Sequence, residues 1–148
     1  MCNAAYIYSR VRFEEGAPER DRPLAGQSPY LVNAGFFYQY DDKGISASLL
    51  YNRIGKRIES VGVPMQDQNE DIPDIYEMPR NSLDLTFSKK IGKAVEIKAG
   101  IQDMLNSKIE YKQFVKLTDQ NGGKREREQL VRSYRPGVDI NVGVSLKF

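Results

Sequence analysis

Few residues of this sequence are of the types that most often do chemistry in proteins. The 148 residues include no His and a single Cys, so the commonest general base, the commonest metal ligand and any internal disulfide are missing. No pair of carboxylates stands out as an acid and a base. The sequence therefore predicts neither an enzyme nor a bound cofactor or metal ion.

Two charged clusters remain. Residues 67–74 hold four Asp and Glu side chains that could ligate Ca²⁺, but they lack the spacing and the glycine of an EF-hand loop. We interpret them as a solvated loop. The basic run 124–128, with Arg132 and Arg135, could touch anionic headgroups or phosphate. Its interleaved Glu residues and the net charge of only +2 argue against nucleic acid and favour a strand or loop with internal salt bridges.

The elements that position these side chains are indicated by a period of two. Over residues 137–148, apolar side chains alternate with Asp, Asn, Gly, Ser and Lys without a break, as in a strand that is apolar on one face. The same alternation recurs upstream, and we predict no helix. The predicted strands are 3–13, 31–40, 45–52, 82–88, 95–102 and 137–148.

Several charged residues fall on the polar faces of these predicted strands. They are Asp84, Glu96 and Asp139, together with Lys98 and Lys147. Since ion pairs between neighbouring strands are common in sheets, we expect cross-strand pairs that line a water-filled interior, without any catalytic role.

The connections between the predicted strands alternate in length. Residues 41–44 and 90–93 form tight turns in which a Gly can take a positive φ. Long polar segments separate the other strands, at 14–27, about 62–81 and about 108–135. In the last of these, the Gly-rich turn at 119–123 indicates a hairpin that extends beyond the sheet. Short turns at one rim and long loops at the other are typical of outer-membrane barrels.

Both membrane barrels and soluble β-sandwiches show alternating strands. Here the predicted polar faces carry mainly Ser, Thr, Asn, Gln and Gly, whereas soluble surfaces are richer in Lys and Glu. Aromatic residues crowd the strand ends, where phenol rings favour the membrane interface. We therefore expect an all-β fold, an antiparallel up-and-down meander of about six strands that is part of a transmembrane outer-membrane β-barrel.

Several segments also carry a resemblance to a known family. The last strand ends in Phe148 behind alternating apolar residues, and Asp103-Met104-Leu105-Asn106 precedes a long loop. Together with the segments 22–33, 51–58 and 75–80, and in this order, they resemble the last third of TonB-dependent receptors of the Bacteroidetes type. That family usually has Asn-Leu-Leu-Asn where Asp103 to Asn106 stand, so Asp103 is a small departure.

The resemblance implies a Gram-negative outer-membrane transporter that takes up an iron chelate, a vitamin or a glycan. Such receptors have a signal peptide, an N-terminal plug domain and about 22 strands. We find no signal-peptide pattern, and we expect residues 1–148 to be the C-terminal strands of the barrel, without the plug. The implied partners are outer-membrane lipid, the barrel-assembly machinery, the TonB complex through the plug and, as one option, a surface lipoprotein, with no nucleic acid.

By the same resemblance, the last strand is the segment that the barrel-assembly machinery recognises. The residues that would carry this role are Ile140, Val142, Val144, Leu146 and Phe148. The sequence does not single out residues that contact the transported ligand.

Two alternatives stay open. The chain could be a soluble β-sandwich or barrel that acts as a binding module, or a passive pore assembled from several copies. Dependence on detergent would separate the transporter fragment from the soluble module, and steady conductance in a bilayer would support the pore.

Overall fold

The computed structural model describes residues 2–13, 22–63, 72–92, 94–118 and 124–146. These residues contain ten strands, one short 3-10 helix at Asp41–Lys43 and no α-helix. The strands are β1 (Cys2–Tyr6), β2 (Tyr30–Tyr40), β3 (Ile45–Ile54), β4 (Arg57–Ser60), β5 (Ile75–Glu77), β6 (Arg80–Ile91), β7 (Val95–Gln102), β8 (Ile109–Thr118), β9 (Lys124–Tyr134) and β10 (Asp139–Leu146).

Six strands form one antiparallel sheet in the order β1-β2-β3-β6-β7-β10. These are the six segments that the alternation predicts, and their order is that of an up-and-down meander, so the predicted all-β fold class is confirmed. The first strand is shorter than predicted, because β1 covers Cys2–Tyr6 and not residues 3–13. Among the described strands, β1 pairs only with β2 and β10 only with β7, so the sheet has one open edge at each of them.

The register places most apolar side chains of the six strands on one face, whereas Leu31, Phe37, Leu50 and Ile54 lie on the opposite face. One row across the sheet runs from Ile140 through Ile101, Leu85 and Leu49 to Phe36. Because directly opposed residues point to the same side of a sheet, the remaining apolar rows lie on this face too. We call it the apolar face. The opposite, polar face holds mainly Asn, Ser, Thr, Gln, Gly and charged residues.

Two tight turns fix this register at one end of the sheet. Gly44 has φ 60° and Gly92 has φ 61°, a left-handed conformation that side chains other than Gly rarely adopt. The Gly44 N–H donates to the Asp41 carbonyl at 3.0 Å, and the Gly44 carbonyl accepts from the Lys90 N–H at 2.8 Å. The two neighbouring turns are therefore bonded to each other at what we call the short-turn end.

Four further strands form a second sheet in the order β4-β5-β8-β9. In the chain, β4 follows β3, β5 precedes β6, β8 follows β7 and β9 precedes β10. The order of the second sheet thus repeats the order β3-β6-β7-β10 of the first. The four-stranded sheet continues four strands of the six-stranded sheet beyond its other end, which we call the long-loop end.

The prediction of long polar loops was wrong for parts of two segments. Residues 62–81 contain β5, and residues 108–135 contain all of β8 and β9. The expectation of a hairpin around 119–123 agrees with the antiparallel pairing of β8 with β9, although the turn itself lies outside the described residues.

The buried apolar side chains lie in the four-stranded sheet. Among the residues that the structure describes they are Ile58, Ile109 and Tyr111, and Ile58 is only 1% exposed. The segment before β2 contributes to this packing, since the Gly26 N–H donates to the Ile58 carbonyl at 2.7 Å. The six-stranded sheet adds no buried apolar side chain of its own to this set.

We expect Gly44→Ala to destabilise the fold by about 1 to 2 kcal/mol, because the new side chain would require a left-handed backbone. A Cβ at Gly44 would also lie 2.9 Å from the Lys90 Cβ. Gly143→Ala is the matched control, since nothing lies within 4 Å of a Cβ at that position. Denaturant unfolding of both variants measures the difference, and equal loss of stability would contradict the role assigned to the turn.

Candidate membrane-contacting face and assembly strand

The residues predicted to carry the assembly signal lie on the edge strand β10. Ile140, Val142, Val144 and Leu146 all occupy the apolar face and are 61% to 72% exposed. Phe148 lies outside the described residues. One edge of β10 pairs with β7, and its other edge has no neighbouring strand in the described part of the chain. β10 therefore presents both an apolar row and a row of backbone groups that are free to pair.

The rest of the apolar face is also uncovered. Phe36, Tyr38, Leu49 and Phe87 are all exposed. Within the described ranges, the strands of this sheet make their substantial contacts with neighbours in the same sheet, and no second layer packs on the apolar face. The rows of Val, Ile and Leu are thus not a hidden core.

Aromatic residues mark both ends of the apolar face. Tyr38 and Tyr40 lie near the short-turn end, and Tyr6, Tyr30 and Tyr51 lie near the long-loop end. Between Ile45 and Tyr51 the face is about 20 Å tall at about 3.3 Å per residue. Outer-membrane barrels carry an apolar band of about 25 Å between two aromatic girdles, so the dimensions are compatible with such a band.

The polar face is held by a ladder of amide side chains. The Asn33 amide donates to the Asn3 carbonyl oxygen at 3.0 Å, and the Asn52 amide donates to that of Asn33 at 2.5 Å. Further along, the Ser46 and Ser88 hydroxyls lie 2.8 Å apart. Polar side chains from different strands therefore satisfy one another across this face.

The charged residues of the polar face differ in detail from the prediction. Lys98 pairs with Glu96 at 3.3 Å, which is a contact along β7 and not across strands. The Asp84 carboxylate accepts the Asp103 N–H at 2.8 Å and so anchors a turn. Lys147 lies outside the described residues. Among the ion pairs described on this face, the expectation of cross-strand pairing was therefore wrong for Lys98 and Glu96.

The motif from Asp103 to Asn106 forms the turn that leads out of β7. Both end residues have positive φ, 49° for Asp103 and 43° for Asn106, which Asp and Asn tolerate better than most residues. The Asn106 side-chain oxygen accepts the Gly137 N–H at 3.1 Å, and Arg80 lies 3.8 Å from the Asp103 carboxylate. Asp103 and Asn106 thus form the turn through which the chain passes from the six-stranded sheet to the four-stranded sheet.

A lysine directly before β4 lies between two aromatic rings of the four-stranded sheet. Lys56 Nζ lies 4.0 Å from the centre of the Tyr76 ring and 3.7 Å from that of Phe114, and the two rings meet edge to face at 5.6 Å. Burial lowers the pKa of Lys56, and the nearby carboxylates of Glu126 and Glu128 offset part of this effect. Burial also raises the pKa of Tyr76.

A second cluster places an arginine against two tyrosines. Arg132 lies 4.2 Å from the Tyr111 ring centre and 5.7 Å from that of Tyr134, and these rings stack at 6.4 Å. Sequence reasoning missed both clusters because their members come from segments interpreted as loops. The available signal was the alternation of basic and aromatic residues in 108–135.

Several charged groups of the four-stranded sheet form ion pairs. Arg57 donates to Glu77 at 2.6 and 2.9 Å, and Lys112 contacts Glu128 at 2.5 Å and Glu110 at 3.3 Å. The interpretation of the basic run as a salt-bridged strand agrees with the Lys112 contact of Glu128. Such pairs hold neighbouring strands together and leave these groups no evident catalytic task.

The acidic segment 67–74 lies only partly within the described residues. Residues 67–71 lie outside the described residues, while the Asp74 carboxylate accepts the Gly62 N–H at 2.8 Å and the Tyr76 hydroxyl at 3.3 Å. No group of three or more His, Cys, Asp or Glu side chains suited to a metal ion occurs in the described ranges. None of the helices found there is long and apolar enough to cross a membrane.

We expect the stability of the wild type to rise relative to Lys56→Met as the pH increases from about 8 towards 10. The folded-state pKa of Lys56 is lowered, so the unfolded chain binds more protons in this range and raising the pH favours the fold. Denaturant midpoints at several pH values measure the effect. Phe114→Leu opens the cluster to water, so it should reduce this pH dependence. A stability difference between the wild type and Lys56→Met that does not change with pH would contradict the burial of Lys56.

Comparison with known proteins does not assign the chain to a family. No protein-family model, no curated protein and no solved structure matches it.

Proposed function

We propose that this chain forms the C-terminal strands of the barrel wall of an outer-membrane active transporter of the TonB-dependent receptor kind. Such a transporter takes up an iron chelate, a vitamin or a glycan, and a TonB complex supplies the energy through a plug domain. The single observation that carries the proposal is the uncovered apolar face, which lies opposite a hydrogen-bonded polar face on six meandering strands.

An apolar face of this size is unfavourable in water. Burial of apolar surface stabilises a protein by about 25 cal/mol per Å², and monomeric soluble proteins rarely leave patches larger than a few hundred Å² exposed. Phe36, Leu49, Phe87, Ile140 and Val142 all contribute exposed apolar area to this face. Acyl chains would cover it, while water would solvate the Asn and Ser side chains of the other face.

The two open edges support a wall that is part of a larger barrel. In lipid, backbone groups without partners cost several kcal/mol each, so a sheet that spans a membrane has to close. Here β1 and β10 each have one unpaired edge in the described residues. Further strands on both sides would satisfy them, as expected for about six strands of a 22-stranded wall.

The stagger of the strands also fits a barrel wall. Counted from the long-loop end, the first paired row at the β1 edge of the sheet joins Tyr6 and Tyr30. At the β10 edge, the first paired row joins Asp139 and Gln102. The row that contains Ile101 continues across the sheet to Phe36, which lies six positions along β2 from Tyr30. Gln102 lies one position from Ile101 towards the long-loop end. The paired region therefore shifts about five positions towards the short-turn end, as in the tilted strands of a barrel.

The four-stranded sheet and its loops would then project from the membrane. In this arrangement the ligand would meet the polar face near the long-loop end and the inner side of the projecting strands. The cation–aromatic clusters stiffen that projection, since such contacts contribute about 0.5 to 1 kcal/mol each at exposed sites.

Dependence on detergent tests the membrane proposal against the soluble binding module. We expect the purified chain to need detergent to stay dispersed and to associate when the detergent is removed, as measured by gel filtration with light scattering. A folded monomer in plain buffer would overturn the proposal. Steady conductance of the chain alone in a bilayer would instead support the pore assembled from several copies.

We expect Val142→Lys to lower the partition of the chain into lipid vesicles by about 30-fold or more, because a lysine on a lipid-facing strand costs about 2 to 4 kcal/mol at mid-membrane. Asn141→Lys is the matched control, since the neighbouring residue lies on the polar face. Vesicle flotation at several lipid concentrations measures the partition. An equal loss in both variants would contradict the assignment of the apolar face to lipid.

We expect removal of Phe148 from a polypeptide that ends with this chain to reduce the amount inserted into the outer membrane. The reason is the proposed recognition of the last strand by the assembly machinery. Quantitative immunoblotting of membrane fractions measures insertion, with Lys147→Gln as a control that keeps the terminal aromatic ring. Unchanged levels without Phe148 would count against the assembly role.

A further inference from the structure

Among the described residues, the apolar face carries charge only near its two ends. In the described part of the six-stranded sheet, the charged residues whose register places them on this face are Arg53 and Lys89. Lys89 lies near the short-turn end, in the row of Ile45 and Ile97. Arg53 lies at the long-loop end, one step beyond Tyr51 on the same face.

Arg53 has only neutral partners among the described residues. Its guanidinium donates to the Asn81 side-chain oxygen at 2.9 Å, and the Tyr51 hydroxyl donates to the same oxygen at 2.9 Å. The guanidinium also interacts with the Tyr30 phenol. The other arginines near this end differ, because Arg57 pairs with Glu77 and Arg80 lies near Asp103.

An arginine without a carboxylate partner can bind an anion from outside the chain. A guanidinium presents its N–H groups as a fork that matches the oxygens of phosphate, and it is less strongly hydrated than an ammonium group. The phenol of Tyr30 beside it can donate a further hydrogen bond, whereas the O–H of Tyr51 is already given to Asn81. Aromatic rings next to a cation at the end of an apolar band are also typical of the level at which lipid headgroups lie.

We propose that Arg53, together with Tyr30, binds the phosphate of an anionic membrane-lipid headgroup, while Tyr51 holds the Asn81 side chain that the guanidinium also contacts. This inference rests on the proposed function, because it requires the apolar face to contact lipid. The acyl chains of the bound lipid would lie along the rows directly below, which contain Ala34 and Leu83, then Phe36 and Leu49. A free phosphate ion would gain nothing from these rows.

Native mass spectrometry of the 148-residue chain in detergent micelles tests this site. The probes are phosphatidylglycerol, a galactosyl diacylglycerol with the same acyl chains but no phosphate, and inorganic phosphate. We expect Arg53→Gln to weaken the binding of phosphatidylglycerol about fivefold and to leave galactolipid binding unchanged. Lys98→Gln, which removes a charge from the polar face, is the matched control and should change neither.

The outcomes separate the site from the proposed function. Equal affinity of wild type and Arg53→Gln for phosphatidylglycerol, with galactolipid still bound, would overturn the site alone. Failure of the wild type to bind either lipid would overturn both the Arg53 site and the proposed function. Displacement of phosphatidylglycerol by an equal concentration of inorganic phosphate would overturn the assignment to a lipid.

A second variant covers the case in which Arg53→Gln does not fold, as judged by circular dichroism in the micelle. Arg53→Lys keeps the charge and loses the fork, so we expect an intermediate loss of phosphatidylglycerol affinity. Wild-type affinity in every folded variant would overturn the site.

Discussion

The whole arrangement depends on keeping two unlike faces apart on six strands. Side chains of a strand alternate between faces, so a shift of one residue in any pairing would move Val, Ile and Leu to the polar side. The turns at Gly44 and Gly92 prevent such a shift at one end, because their left-handed backbone and the bond from Lys90 set the partners of β3 and β6. On the polar face, the hydrogen-bonded ladder of Asn3, Asn33 and Asn52 favours the same register.

The change from the six-stranded to the four-stranded sheet uses residues that can leave the strand conformation. Asp103 and Asn106 take positive φ at the end of β7, and Gly137 takes φ 96° before β10. The Asp84 side chain accepts a hydrogen bond from the Asp103 N–H, and the Asn106 side chain accepts one from the Gly137 N–H. Polar groups that a continuous ladder would have paired are therefore satisfied locally, which lets four strands extend while their order is kept.

The sequence predicts the six-stranded sheet well because alternation is a local property that does not depend on neighbouring strands. It fails for β4 and β5, which have four and three residues and are too short to show a period. The clusters around Lys56 and Arg132 could not be predicted either, since Tyr76 and Phe114 approach Lys56 only through pairing between distant segments. Phe148, on which the assembly interpretation depends most, lies outside the described residues, so that interpretation stays a prediction.

The distribution of charge follows the same division of the molecule. In the four-stranded sheet, Arg57 and Lys112 have carboxylate partners, as charged groups near one another in water commonly do. On the apolar face the only charges in the described residues stand near its ends, where an apolar layer would meet water. A soluble sheet would have no reason to exclude charge from the middle of an exposed face, because an isolated lysine there costs little. Exclusion of charge from the middle of an uncovered face therefore supports our proposal that hydrocarbon, and not water, is its neighbour.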